Sequence, residues 1–188
     1  MDLPTPRWTW HPHHAGVAAE TVARAWLGDQ FDCAPEQLPL QRDDRGRPRL
    51  HARLSAFDTS WSHSGEGLLL ALGRDVDVGI DLERLHPRPR ALAIAQRYFA
   101  SGELAWLQQQ RDDLRDEAFL RLWCAKEAVL KGHGRGLAFG LDKLVFAEAH
   151  GVLTLASCDR LLGRTEDWTL HEFVPDAGYR AAIAWRAR

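Results

Sequence analysis

Two acidic side chains close a run of alternating apolar and polar residues at positions 75–84. Asp81 and Glu83 lie two residues apart in the segment DVDVGIDLER. Residues i and i+2 of a β-strand project from the same face, so the two carboxylates are expected side by side. Such carboxylates repel each other unless a cation lies between them, and Mg²⁺ prefers a few carboxylates with water and phosphate oxygens. A magnesium site is one interpretation of the pair, and a solvated strand end whose acids form ion pairs with Arg84 or Arg88 is the commoner one.

A second set of candidate residues lies in the segment RLWCAKEAVLKGHGRG at 121–136. Trp123, Glu127 and Lys131 are four residues apart and therefore share one face of a helix, with Lys126 beside them. The glycines directly after Lys131 allow backbone to approach a ligand closely, which favours a ligand site. The alternative is an ordinary ion pair between Glu127 and Lys131 on a surface helix.

Two further features concern phosphate binding. SHS at 62–64 places a histidine between two serines, and these side chains can donate hydrogen bonds to a phosphate, although a single histidine is often structural. Among the 24 basic residues, only Lys126, Lys131 and Lys143 are lysines. The compact ammonium of lysine is not equivalent to the planar fork of arginine, so the two lysines of the 121–136 segment are functional candidates.

The composition excludes several classes of protein. The 188 residues are 45% hydrophobic and 27% charged, which is typical of one folded domain. A formal net charge of −2 argues against bulk nucleic-acid binding. The three cysteines are widely spaced and predict neither a disulfide framework nor a zinc site. Since no signal-peptide core and no long apolar stretch occurs, we expect a cytoplasmic protein without a membrane partner.

The first part of the chain predicts a helix followed by antiparallel strands. Apolar residues at helical spacing predict a helix over 15–27 that Gly28 closes. QRDDRGRPRL at 41–50 predicts a basic turn or hairpin. Residues 57–64 alternate large and small side chains. A buried strand of about six residues is expected within 65–73, and a second strand, half-buried by its alternating pattern, at 75–82.

The second part of the chain predicts helices and then strands. The helices are expected at 91–99, 102–110 and 115–131, and the strands at 143–156, 167–174 and 179–185, with Gly151, Pro175 and Gly178 in turns. The third helix is the clearest, because acidic residues open it and glycines end it. The order of helix, strands, helices and strands predicts an α+β fold with antiparallel connections.

The residues of these motifs and their order along the chain resemble those of the 4′-phosphopantetheinyl transferase superfamily, in particular the monomeric surfactin-synthetase-activating type. The resemblance covers nearly the whole chain. It is carried by GRP at 46–48, SHS at 62–64, VGIDLER at 78–84, QRYFASGE at 96–103 and WCAKEAVLKGHGRGL at 123–137. VGIDLE followed by W-x-x-KEA-x-x-K is a highly specific combination.

The resemblance implies an enzyme that moves 4′-phosphopantetheine from coenzyme A to a serine of an apo acyl or peptidyl carrier protein. The implied reaction depends on Mg²⁺ and releases 3′,5′-ADP. The implied fold has two similar α+β halves, related by a pseudo-twofold, with the active site in the cleft between them. We place the halves of this single domain at approximately 1–77 and 78–188. We expect a monomer whose partners are coenzyme A and the carrier protein.

The resemblance also assigns roles to individual residues. Asp81, Glu83 and Glu127 are expected to bind Mg²⁺, and Glu127, directly or through a bound water, to be the base for the serine hydroxyl. Lys131 is expected to contact the pyrophosphate and assist departure of 3′,5′-ADP, with His63 at the same phosphates. The full set of expected contacts with coenzyme A is Arg24, Arg47, Ser62, His63, Lys126 and Lys131, with a role in shaping the site as the alternative for Lys126, as for Trp123.

The sequence departs from the family pattern in three places, of which the SGE at 101–103, without the family's usual cap and proline, concerns only the start of a helix. Only a short segment precedes HPHH at 11–14, where family members have a longer segment with a strand and further basic contacts to the 3′-phosphate. Arg42, Arg45 and Arg49 are candidate substitutes for those contacts. Ser60 stands where the family's F-N-x-S-H-S motif has asparagine.

Two competing functions remain open at the level of sequence. A degenerate, non-catalytic module that binds coenzyme A or a carrier protein would share the same motifs. A metal-dependent phosphodiesterase would also use a D-x-E pair with a nearby lysine, but such sites usually gather these groups on adjacent strands, whereas Glu127 and Lys131 are expected on a helix.

Overall fold

The computed structural model describes residues 4–188. Its α-helices are α1 (Ala19–Phe31), α2 (Ala91–Tyr98), α3 (Ser101–Gln109) and α4 (Asp112–His133). Its strands are β1 (Arg7–Pro12), β2 (Leu40–Arg42), β3 (Pro48–Leu50), β4 (Phe57–Ser64), β5 (Gly67–Arg74), β6 (Val76–Arg84), β7 (Leu144–Ala149), β8 (Val152–Cys158), β9 (Thr169–Phe173) and β10 (Tyr179–Ala187). The assigned strand pairs are antiparallel, which confirms the predicted α+β class.

The first sheet has the strand order β1-β5-β4. Helix α1 covers one of its faces, where Ala23 packs against Leu68 and Leu70 of β5. The basic hairpin predicted at 41–50 is also confirmed, because β2 and β3 pair with each other there.

Strand β1 is not among the strands that the sequence predicts. Its tryptophans connect the first sheet to the second: the ring of Trp8 lies 4.3 Å from that of Phe173, and the ring of Trp10 lies 4.8 Å from that of Tyr179. The short amino-terminal segment therefore still supplies a strand, and aromatic packing across the sheets holds it in place.

Helix α1 begins and ends later than predicted. It starts at Ala19, passes through Gly28 and ends at Phe31. The next residue, Asp32, adopts a left-handed conformation with φ of 49° and caps the helix. Gly28 does not end the helix. A Cβ at this position would lie only 2.6 Å from the carbonyl oxygen of Cys33, so the glycine makes room for the chain that turns back after the helix.

The second sheet has the order β6-β10-β9, and α4 lies across β6 and β10. The alternation predicted for β6 is present, but the prediction of a half-buried strand is wrong, because α4 covers the second face and most residues of both faces are buried. Val78 and Ile80 face a core shared with Leu69 of the first sheet, whereas the alternate residues Asp81 and Glu83 project from the opposite face.

Gly79 controls how closely α4 approaches β6. A Cβ on this residue would lie 2.0 Å from the carbonyl oxygen of Ala128 and 2.3 Å from the amide nitrogen of Gly132. A side chain would therefore push the helix away from the strand. The glycine between the two apolar residues of VGID thus brings the second half of α4 directly over the carboxylate face of β6.

The two sheets meet where β4, at the edge of the first, runs beside β6, at the edge of the second. Side chains of β4 accept hydrogen bonds from backbone amides of β6. The bonds run from Val78 to Asp58 at 2.8 Å, from Ile80 to Ser60 at 3.2 Å and from Arg84 to Ser64 at 3.1 Å. We call these β4 side chains the polar ladder; they satisfy an otherwise open sheet edge and set the register between the sheets.

The remaining expectations for the fold are met in part. The 143–156 segment forms two strands, β7 and β8, with Gly151 in the turn between them. No helix within residues 4–188 has the length and apolar content needed to cross a membrane. The division at residues 77 and 78 and the pseudo-twofold between the halves stay predictions.

Candidate active site

Asp81 and Lys131 form an ion pair between β6 and α4. The ammonium Nζ of Lys131 lies 2.7 Å from Oδ1 of Asp81 and also donates to Oγ of Ser62 at 2.9 Å. The Ser62 hydroxyl in turn donates to Asp81 Oδ1 at 2.8 Å. The other oxygen, Oδ2 of Asp81, is buried and has no hydrogen-bond partner within residues 4–188. The geometry leaves a negative, desolvated acceptor at the centre of the site.

Glu127 is buried beside this pair, with 8% of its surface exposed. Its burial, together with the negative charge of Asp81, raises the pKa of Glu127 to about 7. Lys131 pairs with Asp81, so the ordinary surface pair between Glu127 and Lys131 does not describe this helix. Two carboxylates and one ammonium are gathered here, and one carboxylate titrates near neutrality.

Glu83 is held by other groups. Its Oε2 accepts from Arg88 at 2.6 Å and from the Ser64 hydroxyl at 3.1 Å. The alternative weighed for this residue, an ion pair with Arg88, is therefore present. Within residues 4–188, no three His, Cys, Asp or Glu side chains form a ready-made metal cluster. The three-carboxylate metal site stays a prediction.

A cavity of about 220 Å³ opens beside Lys131. Its lining includes Arg42, Arg45, Arg47, Trp61, Lys131 and Gly134. The guanidinium of Arg42 lies 5.4 Å from the centre of the Trp61 ring, a cation–π contact. Four cationic side chains and an aromatic ring form a surface that suits an anionic ligand with a planar group.

The structure separates His63 from the residues described so far. Ser62 and Ser64 point toward β6, so the intervening His63 projects from the opposite face of β4. There it is exposed, with its ring 5.0 Å from that of His13.

Arg24 is engaged in local contacts. Its guanidinium binds Glu20 at 3.1 Å and the backbone carbonyl oxygen of Leu40 at 2.9 Å. Glu20 also pairs with Arg42 at 2.9 Å, which connects Arg24 indirectly to the lining of the cavity. Of the candidate substitutes, Arg42 and Arg45 line the cavity, whereas Arg49 pairs with Asp43 at 3.2 Å.

The predicted contact between Lys126 and coenzyme A needs correction. Lys126 has no exposed surface, and its ammonium binds Glu103 at 2.7 Å and the carbonyl oxygens of Leu141, at 2.8 Å, and Leu144. All three acceptors lie inside the second half of the chain, so the side chain supports the fold and does not reach a ligand.

Comparison with known proteins decides the family. Residues 77–184, more than half of the chain, match the family model of the 4′-phosphopantetheinyl transferase superfamily. The chain belongs to this superfamily.

Individual transferases agree with the family match. The chain is similar to the 4′-phosphopantetheinyl transferase HetI of Nostoc, with 32% identity over 170 residues that span 89% of this chain and 69% of HetI. It is similar to the transferase psf-1 of Bacillus pumilus, with 32% identity over 171 residues that span 90% of this chain and 70% of psf-1. The family membership predicted from the motifs is thus confirmed.

Two residues that shape this transferase's site were missed by sequence reasoning. Asp58 is fully buried and pairs with Arg47, and Trp61 lines the cavity. The segment FDTSWSHS did contain a signal, because every second residue from Asp58 to Ser64 is polar. A polar strand face next to a buried apolar strand indicates side chains that bond to a neighbouring element.

The donor set fits the magnesium ion that the superfamily resemblance implies. Asp81 Oδ2 is a buried carboxylate oxygen without a partner in the described chain, and the pKa of Glu127 is raised by burial and by Asp81. A hard divalent cation at this point would satisfy the free oxygen and stabilise the ionised form of Glu127. Glu83 would join them by sharing its carboxylate with Arg88.

Proposed function

We propose that this chain transfers the 4′-phosphopantetheine group from coenzyme A to a serine hydroxyl of an apo acyl or peptidyl carrier protein and releases 3′,5′-ADP. One observation carries the proposal: an unpaired, buried carboxylate oxygen of Asp81 lies with Glu127 and Lys131 beside a cavity lined with arginines. Transfer between a diphosphate and a hydroxyl needs charge neutralisation, alignment and a proton acceptor, and this cluster offers all three.

Lys131 is the proposed positive charge that stabilises the leaving group, 3′,5′-ADP. Burial by itself would lower the pKa of Lys131, but Asp81 and Glu127 outweigh that effect and raise it, so the side chain stays protonated. An ammonium held by Asp81 and Ser62 faces the diphosphate with little freedom, and can neutralise charge as 3′,5′-ADP departs.

Glu127 is the proposed base. In the metal-free chain the pKa of Glu127 is about 7. Bound Mg²⁺ would lower that pKa, so the carboxylate would be ionised at neutral pH and would accept the proton of the serine hydroxyl directly or through a bound water. Mg²⁺ held by Asp81, Glu83 and Glu127 would neutralise the diphosphate when bound. The nucleophile comes from the carrier protein, so the chain itself needs only to hold the diphosphate and take up the proton.

The arginine-lined cavity is the proposed site of the nucleotide end of coenzyme A. Arg47 and Lys131 line the same cavity, which places two cationic groups next to an anionic ligand there. His63 and Arg24 stay proposed contacts at the margins of this ligand, and Ser62 acts through its bonds to Lys131 and Asp81.

The proposal is tested by incubating the protein with coenzyme A, Mg²⁺ and a panel of apo-carrier proteins, and by measuring the phosphopantetheine adduct by mass spectrometry. We expect an adduct on the serine of at least one carrier. Glu127→Gln should abolish transfer with an unchanged circular dichroism spectrum. Glu117→Gln is the matched control, because Glu117 lies on the same helix but pairs with Arg180, and it should keep activity.

The competing functions give different results in the same assay. Binding of coenzyme A without any adduct would indicate a non-catalytic module and refute the proposal. Cleavage of coenzyme A in the absence of a carrier would indicate a phosphodiesterase. We also propose a monomer, which light scattering of the purified protein measures directly.

A further inference from the structure

Asp58 occupies an unusual position between the two sheets. Its side chain has no exposed surface and accepts a hydrogen bond from the Val78 amide at 2.8 Å. It also pairs with Arg47 and lies 3.3 Å from Arg188 and 3.5 Å from Arg49. A buried carboxylate thus connects the cationic hairpin of the first half with the first residues of β6.

Arg47 is bonded on one side only. Its Nη2 donates to Asp58 and, at 3.0 Å, to the carbonyl oxygen of Val78. Its Nε and Nη1 are buried and have no hydrogen-bond partner within residues 4–188, although the residue is 8% exposed and lines the cavity beside Lys131. Buried charged donors without acceptors are costly, so these two groups indicate a ligand that supplies the acceptors.

The pair between Asp58 and Arg47 is poorly explained as a device for stability. Burial dominates both groups: it raises the pKa of Asp58 and lowers the pKa of Arg47, in each case against the attraction of the partner. Desolvation of a buried ion pair often cancels its Coulombic gain, so the charges of this pair add little stability beyond the hydrogen bonds to the Val78 backbone. What the ion pair adds is a fixed direction for the guanidinium plane.

We propose that Asp58 is a positioning residue that holds Arg47 so that its two free donors face a phosphate of the bound nucleotide. The proposal rests on the proposed function, since the nucleotide is that of coenzyme A. Asp58 itself does not touch the ligand; it acts through Arg47, and its bond to Val78 ties the guanidinium to the strand that carries Asp81.

The test compares Asp58→Asn, Arg47→Gln and the double variant with the wild-type protein. Asp58→Asn keeps an acceptor for the Val78 amide, so the fold is expected to persist, and thermal unfolding checks this. We expect the KM for coenzyme A and the Kd for 3′,5′-ADP, measured by calorimetry, to rise about tenfold while kcat stays within about twofold. Because Asp58 acts through Arg47, the double variant should bind no more weakly than Arg47→Gln alone.

Asp77→Asn is the matched control. Asp77 also pairs with Arg188, at 3.1 Å, and with Arg186 at 3.3 Å, but it is not bonded to Arg47. Loss of this carboxylate should lower the unfolding temperature and leave the KM for coenzyme A unchanged. If Asp58→Asn fails to fold, Asp58→Glu, which keeps the charge but displaces it by one methylene, is expected to show the same rise in KM.

Three results would overturn the inference. The first is an unchanged Kd for 3′,5′-ADP in both folded Asp58 variants. The second is a double variant in which the losses of binding free energy of Asp58→Asn and Arg47→Gln add. The third is a wild-type protein that does not bind 3′,5′-ADP. Failure of the proposed function is seen separately, because a wild-type protein that binds 3′,5′-ADP but modifies no carrier refutes transfer while the positioning role can still be measured by binding.

Discussion

Helix α4 carries two lysine–carboxylate pairs of equal length in different surroundings. Lys126 lies 2.7 Å from Glu103, and Lys131 lies 2.7 Å from Asp81. Both carboxylates are almost completely buried. The length of the ion pair therefore says nothing about its role, and the difference must come from the groups around it.

The pair of Lys126 and Glu103 is closed. Lys126 has no exposed surface and finds further acceptors in two backbone carbonyls. Each oxygen of Glu103 also accepts a backbone amide, from Ala100 and from Phe146, both at 2.9 Å. The pair fixes the start of α3 to β7, and both oxygens of the carboxylate already have partners within the protein.

The pair of Lys131 and Asp81 is open. The Lys131 side chain is 28% exposed at the cavity, and Asp81 Oδ2 has no partner in the described chain. Chemistry is expected where buried polar groups remain unsatisfied, because a ligand or ion can then complete them. The comparison thus predicts that changes to the open pair affect transfer, and changes to the closed pair affect stability.

Asp81→Asn gives the largest expected effect. It should lower kcat/KM for transfer by about a thousandfold or more, because it removes the charge that orients Lys131 and that would hold the metal. The free energy of unfolding should change by no more than about 1 kcal/mol, since Lys131 keeps Ser62 as a partner and part of its exposure to water. Steady-state kinetics and urea unfolding measure the two quantities. Near-normal activity in a folded variant would contradict the role assigned to the open pair.

Lys126→Met should lower the stability of the protein and leave its transfer activity nearly unchanged. It leaves the Glu103 carboxylate buried without its ammonium, which costs about 3–5 kcal/mol of stability. The fraction that folds at low temperature should keep kcat and KM for coenzyme A close to wild-type values, because Lys126 does not reach the cavity. Urea unfolding, with the assay performed well below the midpoint, separates the two effects. A specific loss of kcat would place Lys126 in the site after all.

The different roles of these lysines could not be derived from the sequence. Helical spacing predicted that α4 carries functional residues, and the alternation in β6 predicted the face of Asp81. From Ala118 onward, however, α4 is buried on nearly every side, so no amphipathic pattern shows which charged residue faces the cavity. Helical spacing groups Lys131 with Trp123 and Glu127 and leaves Lys126 beside them, but only the packing of α3 and β7 shows that Lys126 is enclosed.

Other parts of the site were predictable to different degrees. The W-x-x-KEA-x-x-K and VGIDLE motifs predicted Asp81, Glu127 and Lys131 as site residues. These motifs contain the carboxylates and the ammonium themselves, so they can be recognised without knowing which side chains are buried. The pairing of Asp58 with Arg47 depends on the contact between β4 and β6, which no local pattern encodes. Strand β1 was missed since its partner β5 lies far along the chain and its tryptophans pack against the second sheet.

The pH dependence of stability tests the electrostatics of the open pair. In metal-free protein the pKa of Glu127 rises from 4.5 to about 7, so the folded state binds more protons than the unfolded state between these values. Stability should then fall as pH rises through this window, by about 3 kcal/mol in total, and the loss should be constant above it. Urea unfolding in chelator from pH 4 to 8 gives the slope, and Glu127→Gln should lack this component. Equal slopes for the two proteins would show that Glu127 titrates normally.

The smallest expected effect is that of the double variant Lys126→Met/Glu103→Gln. Removing both charges avoids an unpaired buried ion, and glutamine keeps one oxygen to accept from the Phe146 amide. The double variant should be within about 2 kcal/mol of the wild type and thus more stable than Lys126→Met alone. A double-mutant cycle of urea unfolding, with Glu103→Gln as the fourth protein, measures the coupling. The double variant could instead be as unstable as Lys126→Met alone. In that case Glu103 would stabilise the fold through its bonds to the Ala100 and Phe146 amides, and not through the Lys126 ammonium.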